Sequence, residues 1–191
     1  MKKITFILSF VLLSIASFAQ TTWTADPYHS KLAFTVTHLG IADVPGHFDK
    51  YDVSVTSSKP DFSDAVVELT AQVNSINTRI EPRDNHLKSA DFFNAEKYPT
   101  MTFKSTSIKK AGKDKYTLNG NLTLLGVTKP VSVSMLYRGT TANPNAKGAP
   151  VAGIQITGTI KRSDFGLGAG FPAPMISDEV TIKADGEFGK K

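Results

Sequence analysis

Ala65-Val66-Val67-Glu68-Leu69-Thr70-Ala71-Gln72-Val73-Asn74 decides the fold class. Ala65, Val67, Leu69, Ala71 and Val73 alternate with Glu68, Thr70, Gln72 and Asn74. A period of two puts the apolar set on one face of a strand. The same alternation recurs toward the N-terminus. Phe48, Tyr51, Val53 and Val55 form one run, and Ser30, Leu32, Phe34, Val36 and His38 form another. Toward the C-terminus come Met101-Phe103, Tyr116-Leu124, Val131-Tyr137, Ile154-Ile160 and Val180-Phe188. That makes eight strands, each with one apolar face. The connections read as turns: Ala111-Gly112-Lys113-Asp114 as a hairpin, Gly126 to Pro130 as a second turn, Asn143 to Gly148 as a polar loop. Pro130 falls at a strand start, where its missing N–H is tolerated.

Residues 82–98 break the pattern. This stretch lacks β-branched residues and carries helix formers, with Leu87, Phe92 and Phe93 on roughly one helical face. It reads as one or two short helical turns between strands. Eight antiparallel strands leave two exposed edges unless they close, and closure gives a barrel. The fold class is therefore all-β: an eight-stranded antiparallel barrel with a short helical insert around residues 82–98. A barrel of this size is filled by side chains or holds one small ligand. Ala65, Ala71, Gly120, Gly158, Ala184 and Gly186 are small residues at inward positions. They fit both outcomes, because they either leave room or relieve crowding at bends.

The chain has 191 residues. Residues 1–19 read as a signal peptide: Lys2 and Lys3 start it, Ile4 to Phe18 is almost wholly apolar, and Ser17-Phe18-Ala19 places small residues for cleavage before Gln20. The apolar run is shorter than the roughly 20 residues that span a bilayer. Residues 20–191 then form a single domain, with no integral membrane segment after cleavage. The chain holds no cysteine, so an exported product folds without disulfides and without thiolate chemistry. The formal charge is +5, and removing Lys2 and Lys3 leaves +3. The basic residues are scattered and form no stripe with aromatics, which argues against a nucleic-acid partner.

Trp23-Thr24-Ala25-Asp26-Pro27-Tyr28-His29-Ser30 is followed by Phe34, Val36 and His38-Leu39-Gly40, then by Val44, Gly46 and Phe48. Ser75-Ile76-Asn77-Thr78 precedes Arg83-Asp84-Asn85-His86-Leu87-Lys88-Ser89-Ala90-Asp91-Phe92-Phe93, then Tyr98-Pro99 and Phe103-Lys104-Ser105-Thr106. Gly120-Asn121-Leu122-Thr123, Gly126 to Val131, Arg162-Ser163-Asp164-Phe165-Gly166 and Ile176-Ser177-Asp178-Glu179-Val180 complete the series. In this order, across nearly the whole mature chain, they resemble the YceI-like family. The resemblance implies a lipocalin-like barrel, usually a homodimer, exported to the periplasm or secreted. It also implies a polyisoprenoid or similar long amphiphile, such as a quinone tail, fatty acid or amide, in the lumen. Two positions depart from the family pattern: Leu125, where a polar residue is common, and Lys88, where Arg is commoner and could make a bidentate contact.

Phe34, Val36, His38, Phe92, Phe93, Phe103, Leu122, Leu124 and Ile176 are the candidate ligand-binding residues, and each could equally be core. Asp26, His29, Arg83, Asp84, His86 and Arg162 are candidate polar anchors that fix the barrel opening around the insert. Arg83 is expected to pair with Asp84, or else to meet a phosphate head group. The four histidines, His29, His38, His47 and His86, together with Asp26 and Asp84, raise a second reading, a hydrolase or metal-dependent enzyme acting on a lipid-like substrate. None of them has the i, i+4 spacing of a helical zinc motif, and there is no G-x-S-x-G elbow. No catalytic residue, metal ligand or cofactor is assigned. The glycine-rich Gly166 to Gly170 lacks a phosphate-loop lysine and reads as a flexible loop at the barrel mouth. A third reading is a structural or interaction barrel with a filled core.

Overall fold

The computed structural model describes residues 19–191, so the signal peptide expected over 1–19 lies, but for Ala19, outside the described residues. The chain runs β1 (Thr21–His38), β2 (Ala42–Phe48), β3 (Tyr51–Ser57), β4 (Val66–Gln72), β5 (Ile76–Asn77), α1 (Glu81–Lys88), β6 (Thr100–Gly112), β7 (Lys115–Leu124), β8 (Val127–Asn143), β9 (Ala149–Lys161) and β10 (Glu179–Lys190). Neighbours pair in the order β10-β9-β8-β7-β6-β4-β3-β1, and β10 pairs back onto β1. All these ladders are antiparallel, so the eight strands close into a barrel.

The two further strands, β2 and β5, come from the length of β1. Its first residues, Thr21–Thr24, pair with β3, and Leu32–His38 pair with β2. The run expected from Phe48 to Val55 therefore divides. Ser75 makes the corner at Asp49-Lys50: its carbonyl accepts from Asp49 N at 3.0 Å and its hydroxyl from Lys50 N at 3.0 Å. β2 carries Pro45 opposite Thr35, and its other edge meets β5 only at His47 and Phe48. The proline thus sits where no partner needs its N–H.

The turns follow from local chemistry. Leu125 and Gly126 both have positive φ, 52° and 73°, between the paired Leu124 and Val127. That is the two-residue hairpin turn whose twist matches the strands, and Leu125 occupies a left-handed position there. A Cβ on Gly126 would also lie 2.8 Å from the Tyr98 ring. Pro130 pairs with Asn121 inside β8, beyond the strand start where it was expected; β8 meets β9 only from Ser134, so its other flank has no strand partner there. In the insert, α1 occupies Glu81–Lys88, with Pro82 in its first turn, acidic Glu81 and Asp84 near its N-terminus and His86 and Lys88 near its C-terminus. Turns continue to Tyr98, held by Phe93 N to Leu87 O at 2.9 Å and Tyr98 N to Asn94 O at 2.8 Å.

The interior has two storeys. The end bearing the β3–β4, β6–β7 and β8–β9 connections is filled by Val55, Val67, Tyr116, Leu118, Met135 and Ile154. Phe62, from the β3–β4 connection, plugs that end between Trp23 and Tyr137, at ring separations of 5.4 and 4.9 Å. The Tyr116 hydroxyl donates to Asp61 O at 2.6 Å. Asp64 fixes the same connection by accepting from the hydroxyls of Ser57 and Ser58 and from Ser58 N at 3.0 Å. The second storey, around Leu32, Phe48, Phe92, Phe93, Leu124 and Phe165, lies toward the opposite end.

The three glycines among the small inward residues relieve crowding. A Cβ on Gly120 would lie 2.4 Å from the Phe103 ring, one on Gly158 2.6 Å from Val133, and one on Gly186 2.2 Å from the Ser30 hydroxyl. Cross-strand neighbours occupy the space these glycines leave, so they relieve crowding and create no lumen.

Candidate functional site

A cavity of about 410 Å³ opens at the second-storey end, within the roughly 300–1,000 Å³ range of small-ligand pockets. The end of β1 with β2, the α1 insert and the segment between β9 and β10 wall it, together with Met101 of β6, Leu124 of β7, Ile160 of β9 and Val180 and Ile182 of β10. Of the candidate ligand-binding residues, Phe34, Val36, His38, Phe92, Phe93, Leu124 and Ile176 line it. Phe103 and Leu122 do not reach it, which corrects their placement. Phe103 lies over Gly120 at the junction of the two storeys, and Leu122 is buried in the packing around the cavity. Both are core residues because the barrel is filled up to their level.

Arg83 and Asp84 do not pair with each other, contrary to expectation. Both close on Thr78. Arg83 Nε donates to Thr78 Oγ1 at 2.7 Å and Nη2 to Thr78 O at 2.8 Å. Asp84 Oδ1 accepts from Thr78 N at 2.8 Å and from Thr78 Oγ1 at 2.5 Å. Neighbouring residues on a helix point in different directions, so the pair grips the preceding strand end from two sides. Together they set the angle at which the insert leaves β5.

Arg162 is 6% exposed, and its guanidinium is fully occupied. Its five N–H groups go to five carbonyls: Ser177 O at 3.0 Å, Leu167 O at 2.8 Å, Gly168 O at 2.8 Å, Ile176 O at 3.0 Å and Phe171 O. Five donors in a rigid fork are what only arginine supplies. The Gly166–Gly170 stretch, read as a flexible loop, is therefore tied down around a buried cation. Asp178 braces the same segment by accepting from Ser163 N and Ser163 Oγ, both at 2.9 Å. The bond from the Ser163 main chain, then that from its hydroxyl, hold the Asp178 carboxyl below its usual range against partial desolvation.

The segment's Phe171 reaches across to the insert. Its ring stacks on Phe92 at 4.8 Å with 17° between planes. His86 stands edge-on to both, at 5.0 and 5.4 Å, and its Nε2 lies 2.9 Å from Asp91 Oδ2. This aromatic cluster roofs the cavity.

Asp26 and His29 are elsewhere, which corrects their assignment to the opening. They sit in a bulge of β1 between Ala25 and Ser30, on the outer wall. His29 Nδ1 lies 3.0 Å from Asp26 Oδ2 and 3.7 Å from Glu187 Oε2. The Asp26 hydrogen bond, then the Glu187 charge, raise the His29 pKa; the same bond, first, lowers that of Asp26. Potential ligand atoms of Asp26, His29 and Glu187 lie within 4.8 Å of one another, in a largely exposed group. The other histidines are dispersed: His47 is 3.0 Å from Asp49, His86 meets Asp91, and His38 lines the cavity.

Sequence reasoning missed Thr78, Val44, Leu167, Phe171 and Met175, which also border the cavity. Thr78 closed a quoted motif, but its partners lie several residues on, across the start of the helix. Phe171 lay in a segment read only for its glycines.

A YceI-like domain matches residues 23–188. The UPF0312 protein SAS2572 of Staphylococcus aureus is 35% identical over 172 residues, which is 88% of this chain and 97% of that protein. Among solved structures, a Campylobacter jejuni YceI protein superposes with a TM-score of 0.74 at 31% identity, over 81% of this chain and 90% of its own. Burkholderia cenocepacia BcnA gives a TM-score of 0.74 at 26% identity, over 87% and 99%. A polyisoprenoid-binding domain of Saccharophagus degradans, at 18% identity and a TM-score of 0.63 over 92% and 100%, shares the fold. With the family's motifs in order along one closed barrel, this chain belongs to the YceI-like family.

Proposed function

We propose that the protein is a carrier that holds a polyisoprenoid or a similar long-chain amphiphile in the cavity, and that it works after export, in the periplasm or outside the cell. The cavity carries this reading. Its walls are almost wholly aliphatic and aromatic, and the buried guanidinium beside it is spent on main-chain carbonyls. Such walls favour an alkyl or prenyl chain by about 0.8 kcal/mol per buried CH2. A chain of modest length therefore binds without a strong polar contact. The polyisoprenoid-binding description of the Saccharophagus domain supports the choice of a prenyl chain. A quinone tail, a fatty acid or an amide offers the same apolar body.

Export rests on the N-terminal sequence and on the family resemblance. Pairing as a homodimer rests on the family resemblance. The reading is of a binding protein: Thr78, Arg83, His86 and Arg162 at the cavity are hydrogen-bonded within its walls. Titration of the purified protein with a fluorescent prenyl chain tests it. Saturable binding that an Ile176→Asp variant loses while staying folded is expected. Equal binding by that variant would remove the cavity as the site.

A further inference from the structure

The two ends of the barrel differ in what they show to solvent. The β1–β2 turn, the α1 insert, the β7–β8 turn and the β9–β10 segment all lie at the cavity end. The β3–β4, β6–β7 and β8–β9 connections lie at the far end, and the β2–β3 corner lies on the wall beside β5. Among the described residues, the large hydrophobic side chains left exposed are Tyr28, in the β1 bulge on the outer wall, and Leu39, Ile41, Ile80, Val127 and Met175, and these last five all belong to the cavity end. Ile41 is 85% exposed, Leu39 53% and Met175 44%. The far-end turns instead present Lys59, Asp61, Lys113, Asp114, Asn145 and Lys147. Single exposed apolar residues are ordinary, but their collection at one end of a barrel is not.

Leu39, Ile41 and Met175 form one surface. Leu39 N donates to Met175 O at 3.1 Å, and Ser177 N to Thr37 O at 2.9 Å, so the β1–β2 turn and the β9–β10 segment are laced together. From Phe165 to Ser177 that segment carries no charged residue, and neither do Leu39, Gly40, Ile41 and Ala42. The surface is continuous with the cavity, since Met175 and Ile176 line it from the same segment, and His38 lines it from the base of the turn.

We propose that this end of the barrel docks on a lipid bilayer, with Leu39 and Ile41 entering the interfacial region and the β9–β10 segment lying against it. The inference rests on the carrier reading, because a cargo with a long apolar tail resides in membranes and must leave one to be carried. A turn and a loop projecting from the mouth fit the head-group boundary, where apolar side chains insert a short way. The neighbouring insert balances its cationic side chains with acidic ones, so attachment comes from apolar insertion. It is accordingly indifferent to salt and to anionic lipid.

The test is flotation of the mature protein with neutral phosphatidylcholine vesicles, comparing wild type with a Leu39→Ser/Ile41→Ser variant. Neither residue lines the cavity. Wild type floats equally at low and high salt, and the variant loses at least about tenfold in bound fraction. Both retain a preloaded prenyl chain equally, and the variant takes one up more slowly from donor vesicles. A wild type that does not float, or a variant that floats as well, overturns the proposal. A variant whose only change is from dimer to monomer in light scattering also overturns it, and assigns the surface to contact between copies. A wild type that floats but never takes up a prenyl chain separates the failures: docking stands and the carrier reading falls.

Discussion

The ring of Phe34 lies over Gly46, so close that a Cβ at position 46 would sit 2.2 Å from Phe34 Cζ. The two residues face each other across the β1–β2 ladder. Phe34 lines the cavity, so the missing side chain lets the ring lie back against the wall and leaves the centre open. Gly46→Ala forces the ring toward the cavity. If the ring displaces two methylenes of cargo, affinity falls by about an order of magnitude, at about 0.8 kcal/mol each. Calorimetric titration of wild type and variant with one prenyl alcohol checks this.

Leu122 and Phe103 should behave as core. Leu122→Ala removes a buried side chain and costs about 2–5 kcal/mol of stability. Affinity for a prenyl chain, per folded molecule, stays within about twofold of wild type, since neither residue reaches the cavity. Denaturant unfolding paired with binding separates the effects; a large affinity loss in a stable Leu122→Ala variant would return that residue to the site.

Arg162 makes a sharper case. Arg162→Lys keeps the charge but cannot reproduce five N–H donors in one plane. At about 1.5–3 kcal/mol for each hydrogen bond to a charged group, losing even two is severe. The change should speed amide exchange from Leu167 to Ser177 and shorten cargo residence. Protection equal to wild type in that stretch would mean that the packing of Phe171 on Phe92 suffices to hold the segment.

Much of the barrel was legible because alternation survives wherever one face is buried. Ala65–Val73 and Tyr116–Leu124 read as strands for that reason. The split between β2 and β3 was not legible. It depends on Ser75 reaching the Asp49-Lys50 corner from a separate strand end, and Pro45 and Gly46 mask the alternation of Val44 and Phe48. The same limit applied at the site. Phe34, Val36 and Leu124 were visible as apolar inward positions, but period-two patterning does not report height along a barrel. Phe103 and Leu122 share the pattern and lie below the cavity. The grip of Arg83 and Asp84 on Thr78 was hidden by adjacency, which suggested a pair where the helix turns the two side chains apart.

Asp64 gives the molecule an acid-sensitive closed end. Partial burial alone would raise its pKa, but the hydroxyls of Ser57 and Ser58 and the N–H groups of Ser58 and Lys59 outweigh that and bring it to about 2. The unfolded value is about 3.9. Between these values the unfolded chain binds more protons, so stability rises with pH. The contribution is present above about pH 4 and is lost as pH falls toward 2. An Asp64→Asn variant should melt below wild type at neutral pH and converge with it near the acid limit. A gap that persists unchanged at low pH would show that the carboxylate's charge is not its source.

On the reading proposed above, the cavity between the α1 insert and the β9–β10 segment holds a long apolar chain. Mass spectrometry of an organic extract, from mature protein purified from its native host without detergent, tests this most directly. A stoichiometric isoprenoid or other long-chain amphiphile is expected, absent from an Ile176→Asp preparation made the same way. A clean extract from wild type, with no uptake of added prenyl chains, would contradict it and leave a barrel whose cavity carries nothing.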